Sequence, residues 1–382
     1  MNFQPLKDFL DYYLPMLGVP GSDTVVYKDH QEVFRYQSGF DNIKLRTPVK
    51  KDALYNIYGC SRLALCVAAT QLIERGEIVI TDPLYAYFPE YRNMEIAVKD
   101  ENGSFLGYKK AEKPILLKHL LTMTSGMSVS YSSPAVRNIV ESTGGKALTV
   151  EVCRALANEP IDFEPGADYL ESISHDVFAG VIELVSGMRF ADYMRENVFL
   201  PLGMNETSYH INPAKVYRMA SQYDFDTTAH APVEISAEAC EARLGSEYDS
   251  GSAGIVTSVN DYILLADALA SGGVGKSGNR ILSSYGVKLL SSNMFNDAQL
   301  ERFGVNQNIG YGYGYGVRVN IHPEIAGSIA PYGEISCDGD KLSYVSADLS
   351  EGISVFHAEH MGGLHRVVIP RLRNLIYSCI ED

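Results

Sequence analysis

Apolar residues along this chain recur at two spacings, helical in some stretches and alternating in others. MNFQPLKDFLDYYLPML spaces its apolar residues around Lys7, Asp8 and Asp11, which predicts an amphipathic first helix. DTVVYKD and QEVFRYQSG predict two strands joined by a polar turn at Asp29 and His30. In AATQLIERGEI, Ala69, Leu72 and Ile73 recur at helical spacing and Gly76 stops the run, so an amphipathic helix is expected. Residues 82–160 predict helical segments and loops, among them PILLKHLLTMTSGM and LTVEVCRALANEP. FEPGADY is a turn signal, and SHDVFAGVIELVSGMRFADYMRENVF predicts one or two long amphipathic helices ended by Pro201, Gly203 and Asn205. Beyond it, strand-like VYRMASQY, GYGYGVRVNI, KLSYVSADL and GISVFHAEHM mix with helices at NDYILLADALASGG and GLHRVVIPRLRNLIYSCI.

A strand-rich start, a helical middle and a strand-rich end predict an α/β fold: a mostly antiparallel sheet flanked by helices, with an inserted all-helical lobe. Residues 1–58 and 205–382 are expected to form the discontinuous sheet lobe and residues 59–204 the helical lobe, with a small-molecule site in the cleft between them. Length permits this, since 382 residues can bury one large core or two lobes. The formal net charge of -15 argues against binding nucleic acid or an anionic membrane, both of which need a basic face. No segment approaches 18 uninterrupted apolar residues, so no membrane span is expected. Lys7, Asp8 and Asp11 break the apolar run that a secretion signal needs, which makes the cytoplasm the expected compartment. The six cysteines, at 60, 66, 153, 240, 337 and 379, lack C-x-x-C spacing, so reduced thiols are expected rather than a zinc site. No cofactor and no metal are expected.

The stretch 55–78, YNIYGCSRLALCVAATQLIERGEI, resembles the active-site helix of the serine β-lactamases, penicillin-binding proteins and related esterases, roughly F-x-I-x-S-x-T-K followed by Q-L-x-E-x-G. The resemblance runs from about residue 18 to residue 361. KHLLTMTSGM is similar to the family's H-L-L-T-x-T-S-G-L, and FEPGADYLESISHDVFAGVIELVSG to F-x-P-G … Y-S-x-S-x-D-V-L-G … I-E-x-V-S-G. PLGMNETSYH resembles P-L-G-M-x-D-T, and YDSGSAGIVTSVNDY resembles S-G-G-x-G-L-x-S-T-x-x-D-Y. YGEISCDGDKLSYVSADLSEGISVFHAEHM is similar to the late strand motif of the branch holding family VIII esterases and class C-like β-lactamase homologues. This resemblance implies the β-lactamase/transpeptidase fold and serine hydrolase chemistry, and related chains often self-associate, which puts a homo-oligomer among the expectations.

Departures fall on the functional positions. Aligned through Gln71, Leu72, Glu74 and Gly76, the family's nucleophilic Ser falls on Gly59 and its Lys on Arg62. The family's Tyr falls on Glu171, while Ser172 and Ser174 remain. In the late motif the family's Trp falls on Cys337, Asp338 and Gly339 persist, and the small residues that follow become Asp340, Lys341 and Leu342. That motif needs a hydroxyl on the first helical turn and a neutral amine one turn later. Glycine has no side chain, and arginine stays protonated. A carboxylate at Asp340 would repel a developing oxyanion unless turned away. The expected protein is therefore a pseudoenzyme with a binding or regulatory role, its cleft lined by Gly59, Cys60, Arg62, Glu171, Ser172, Cys337, Asp338, Gly339 and Asp340. Arg62 and Glu171 are expected to form a buried ion pair filling the space left by the serine. Rival expectations are a hydrolase or acyltransferase working through Cys60 or Glu171, and a structural partner of an active paralogue. One helical step is about 100°, which turns Cys60 away from the serine's position.

Three other patterns read as structure. ASGGVGKS lacks the first Gly of a phosphate loop and follows a helix rather than a strand. His357, His360 and His365 have metal-like spacing without a preformed cage. GYGYGYG alternates at strand period, placing Tyr on one face and Gly on the other.

Overall fold

The computed structural model describes residues 1–382 apart from Val129, Ala229, Leu342, His360 and Asp382, with the backbone alone at Asn306, Gln307 and Glu381. Leu342 and His360, two of the positions considered above, therefore lie outside the described residues.

Two strands open the sheet, β1 (Gly21–Lys28) and β2 (Gln31–Asn42), with β3 (Thr47–Pro48) at its edge. The β1–β2 turn falls at Asp29 and His30, both at positive φ (49° and 66°), the backbone that matches a two-residue hairpin to strand twist. The sheet is completed from the far end of the chain by β4 (Tyr311–Tyr313), β5 (Arg318–Asn320), β6 (Ile335–Gly339), β7 (Ser343–Asp348) and β8 (Ile353–Glu359). The order is β4-β5-β6-β7-β8-β1-β2-β3, antiparallel at every pairing.

Strand alternation sends side chains to two faces. Val25 and Phe356 join the core shared with the helices α1 (Ser61–Glu74), α2 (Ser174–Ser186) and α3 (Val259–Ala270). Val26, Tyr344 and Val355 face the N-terminal helical segment and α4 (His365–Glu381). The β-lactamase/transpeptidase fold expected from the sequence, with its mostly antiparallel sheet, is the fold observed. Among the described residues no helix is long and apolar enough to cross a membrane.

Three local expectations need correction. α1 is not amphipathic: Ser61 and nearly every residue from Leu63 to Leu72 are buried, because the helix runs through the main core. VYRMASQY is not a strand; a 3-10 turn occupies Pro213–Arg218 and pairing begins only at Gln222, the proline favouring the turn's start. In GYGYGYG the strand ends at Tyr313, because Gly316 takes φ +67° and turns the chain back into β5. Tyr311 and Tyr313 join one aromatic cluster, and Tyr315 enters the main core instead.

Candidate functional site

α1 is anchored along its length. Gln71 donates from Nε2 to the carbonyls of Asn197 (2.9 Å) and Ile281 (3.0 Å), and Glu74 accepts from Ser283 N–H (2.9 Å) and Oγ (2.5 Å). Ser61 Oγ accepts the N–H of Ile255 at 3.1 Å, and the Cys60 carbonyl accepts the Tyr262 hydroxyl at 2.5 Å. Just before it, Tyr58 is held at φ +43°, an unfavourable backbone for a tyrosine. Its buried hydroxyl, a single donor, lies within hydrogen-bond reach of two acceptors, the Ala239 carbonyl (2.9 Å) and the Gln222 side-chain carbonyl.

Gly59 sits at the mouth of this helix, pressed against β6. A Cβ there would come closer than 3.0 Å to the Asp338 carbonyl oxygen, a backbone atom that cannot swing away. A Cβ on Gly339 would meet the Ile57 carbonyl just as closely. Two thiols complete the seam: Cys337 Sγ lies 3.2 Å from the Gly59 carbonyl, and Cys60 Sγ lies 3.5 Å from the Cys337 carbonyl. Burial pushes the Cys60 thiol well above its ordinary pKa, with Cys337 adding to the rise. A thiol so held is a poor nucleophile.

One turn along, Arg62 Nη1 meets Glu171 Oε1 at 2.5 Å. The ion pair is formed, but two expectations about it fail. The Glu171 side chain is 57% exposed, so the pair is not buried, and the space at Gly59 is filled by the β6 backbone rather than by the pair. The Arg62 guanidinium beside it holds the Glu171 carboxyl below the usual carboxylate range. Ser172 Oγ bonds to Ser174 Oγ (2.7 Å), which in turn bonds to Ser125 Oγ (2.8 Å), a hydroxyl chain leading into the core.

Arg62, Glu171, Cys337, Asp338, Gly339 and Asp340 share one cavity of about 500 Å³. Gly59, Cys60 and Ser172 do not line it, because the helix mouth is covered by β6 and Ser172 turns toward the buried hydroxyls. Asp338 pairs with Arg318 (2.9 Å), and His365 Nε2 lies 2.6 Å from the Gly339 carbonyl. The Asp340 carboxyl is pushed above its usual range, first by desolvation in the cleft and then by the charge on Glu171. His357 is buried against Thr24, its Nδ1 2.7 Å from the hydroxyl, away from this cavity.

The sequence reading missed the rest of the wall. Tyr169, Phe303, Tyr311 and Tyr313 supply an aromatic side, and Arg318, Arg366 and Arg373 a cationic one. The helical spacing of Arg366, Ile369, Pro370 and Arg373 in α4 was the available signal for one face.

Fold and cleft together define a β-lactamase/transpeptidase-type protein. The chain belongs to the Beta-lactamase family, whose model matches residues 6–356. Among curated relatives, Protein Rv1367c from Mycobacterium tuberculosis is 23% identical over 281 residues, covering 73% of this chain and 69% of that protein. Among solved structures, EstCE1, a hydrolase with promiscuous acyltransferase activity, superposes with a TM-score of 0.76 at 21% identity, covering 98% of this chain and 97% of its own. A LovD6 mutant of simvastatin synthase from Aspergillus terreus gives a TM-score of 0.81 at 16% identity over 99% and 95%. At these identities the structural likeness speaks for the fold.

Proposed function

We propose that this chain is a β-lactamase family member that has lost serine chemistry and keeps the cleft as a binding or regulatory site for a small molecule. The seat of Gly59 carries the reading: a side chain at that position would collide with the Asp338 carbonyl, so no hydroxyl stands where the resemblance puts the acyl acceptor. Arg62 adds to it, because a guanidinium tied to Glu171 cannot take a proton from an attacking group. Loss of a serine nucleophile costs on the order of 10⁶ in turnover in a protease example. In this reading residues 59–204 form the helical lobe, residues 1–58 and 205–382 the sheet lobe, and Arg62, Glu171, Cys337, Asp338 and Asp340 meet the ligand. The six thiols, none in a disulfide, fit a reducing compartment such as the cytoplasm.

The test is incubation with a chromogenic short-chain ester and a chromogenic cephalosporin, together with fluorophosphonate labelling. No turnover and no label are expected. Turnover abolished by Cys60→Ala or Glu171→Gln would establish the rival reading, a hydrolase or acyltransferase with a non-standard site. One observation speaks for that rival: Glu171 is ionised, exposed and on the cleft wall. Its depressed pKa makes it a weak base. Size-exclusion chromatography, alone and with an active paralogue, tests self-association and the structural-partner reading.

A further inference from the structure

Two thiols meet across the seam between α1 and β6. Cys60 ends the 3-10 turn that leads into α1 and is fully buried; Cys337 lies in the middle of β6, is 6% exposed, and lines the cavity. Cys60 Sγ is 3.5 Å from the Cys337 carbonyl, and Cys337 Sγ is 3.2 Å from the carbonyl of Gly59, the residue before Cys60. The two thiols are within hydrogen-bonding reach of each other. Backbone anchors hold both sides of the contact. Tyr262 bonds the Cys60 carbonyl, Ser343 Oγ bonds the Ile57 carbonyl at 2.7 Å, and Cys337 sits opposite Val345 in the β6–β7 pairing.

Access to the two sulfurs differs. Cys337 borders the cavity and Cys60 does not, so a reagent entering the cleft meets Cys337 first. Its low exposure admits only a small reagent. The Arg62 and Arg318 guanidiniums interact electrostatically with the Cys337 sulfur. Cationic neighbours, an opening to solvent and an adjacent second thiol are what oxidation-sensing cysteines share. The third thiol nearby, Cys66, is turned to His175, its Sγ 3.9 Å from Nε2.

We propose that Cys337 and Cys60 form an oxidation site for a small hydroperoxide, closing to a reversible disulfide that ties β6 to the mouth of α1. Cys337 sulfur attacks the peroxide: an S–O bond forms, the O–O bond breaks, and water or an alcohol leaves. Cys60 sulfur then attacks the Cys337 sulfur: the S–S bond forms, the S–O bond breaks, and the hydroxide departs as water with the Cys60 proton. The thiols together lose two electrons and the peroxide gains them. Burial makes Cys60 a slow partner, an obstacle offset by its being held in place beside its target. A transient disulfide of this kind is also the sort that a reducing compartment permits. The inference stands apart from the reading of the cleft as a binding site.

The experiment treats the reduced, folded full chain with hydrogen peroxide, alkylates the remaining thiols after unfolding, and maps the peptides by mass spectrometry. A Cys60–Cys337 cross-link, two hydrogens lighter and reversed by dithiothreitol, is expected. The oxidised chain should melt at a higher temperature than the reduced one, because the bond spans 277 residues. C66S should form the bond as the parent does. C60S should stop at a Cys337 sulfenic acid that dimedone labels, and C337S should leave Cys60 unmodified. Thermal melts show whether these variants fold, and the parent's own peptide map decides the matter if they do not. Both cysteines recovered as free thiols from the parent, or Cys337 linked to Cys66 instead, overturns the site. A bond that forms only in urea, or an oxidised chain that melts lower than the reduced one, also overturns it, since the sulfurs would not be preplaced.

Discussion

In the motif resemblance Arg62 and Glu171 fall where the family carries a lysine and a tyrosine, and the two side chains meet as partners at 2.5 Å. Because the Glu171 side chain is 57% exposed, water screens the pair, and its worth falls toward the exposed-pair range rather than the buried one. Glu171→Gln is therefore expected to cost about 1 kcal/mol or less at pH 7. The pH sign follows from the lowered carboxyl pKa: the contribution is present above the ordinary value of 4.5 and is lost as pH falls through the depressed folded value. Urea titrations of parent and variant should thus differ at pH 7 and converge below 4.5. A gap that widens on acidification would show that Arg62 is not the cause of the shift. Gly59 allows a sharper expectation. Gly59→Ser, even combined with Arg62→Lys and Glu171→Tyr, gains no fluorophosphonate label, because the added Cβ must displace the Asp338 carbonyl. The single substitution should cost about 1–3 kcal/mol as overpacking, read as a lowered melting temperature.

At the scale of elements, the contact between the mouth of α1 and β6 decides what the cleft contains. Gly339 and Gly76 separate its two ingredients, close packing and backbone conformation. An alanine Cβ at Gly339 meets the Ile57 carbonyl and Ser343 Oγ, whereas Gly76, at φ +71°, has open space around it. Gly339→Ala should destabilise by about 2–3 kcal/mol and Gly76→Ala by only about 1 kcal/mol. Equal melting temperatures for the two variants would mean that the seam yields easily. Most elements around this seam were legible in the sequence. The strands flanking Asp29–His30, the Gly76 stop and the long helix from Ser174 each carry local signals of period, turn or cap. The ordered motifs gave away the fold for the same reason. The seam itself was not legible, because it depends on how nearly β6, nearly 280 residues away, approaches Gly59 in space. An empty side-chain position looks vacant in a sequence, yet here backbone occupies it. Arg373 was missed for a related reason: its spacing with Arg366 marks a helix face, but only the fold reveals that this face borders a cavity.

Over the whole molecule, burial of ionisable groups ties stability to pH more strongly than any single surface pair. His119 and His175 are the clearest cases. Burial lowers the His119 pKa to about 4, with Lys118 and Lys113 adding to the shift. Burial lowers His175 to about 3, with the Arg62 charge second. His175 Nε2 lies 3.2 Å from the Leu121 carbonyl and donates to it, while Nδ1 is buried without a partner, an arrangement suited to the neutral ring. The unfolded chain protonates both rings near pH 6.5, whereas the folded chain does not until much lower pH. Between those values the unfolded state binds more protons, so stability rises with pH and is lost on acidification from about 6.5 downward. Taken alone, the two rings contribute a slope approaching about 2.7 kcal/mol per pH unit near pH 5, and the buried Asp23 carboxyl, raised to about 6 by desolvation, works in the opposite direction. Glu171 adds to the loss only below 4.5, so it leaves the histidine contribution between pH 6.5 and 4.5 untouched. Urea midpoints measured from pH 6.5 to pH 4.5 should differ in slope between parent and His119→Gln by about one proton, the variant losing less stability on acidification. His119 accepts the Leu116 N–H through Nδ1 at 3.2 Å, a role that glutamine's carbonyl oxygen can take over, so the variant should fold. A His119→Gln variant whose slope matches the parent's would mean that this ring opens to water and titrates in the folded state. In that event the buried setting of His119 in the Leu117–Leu121 helix would not hold.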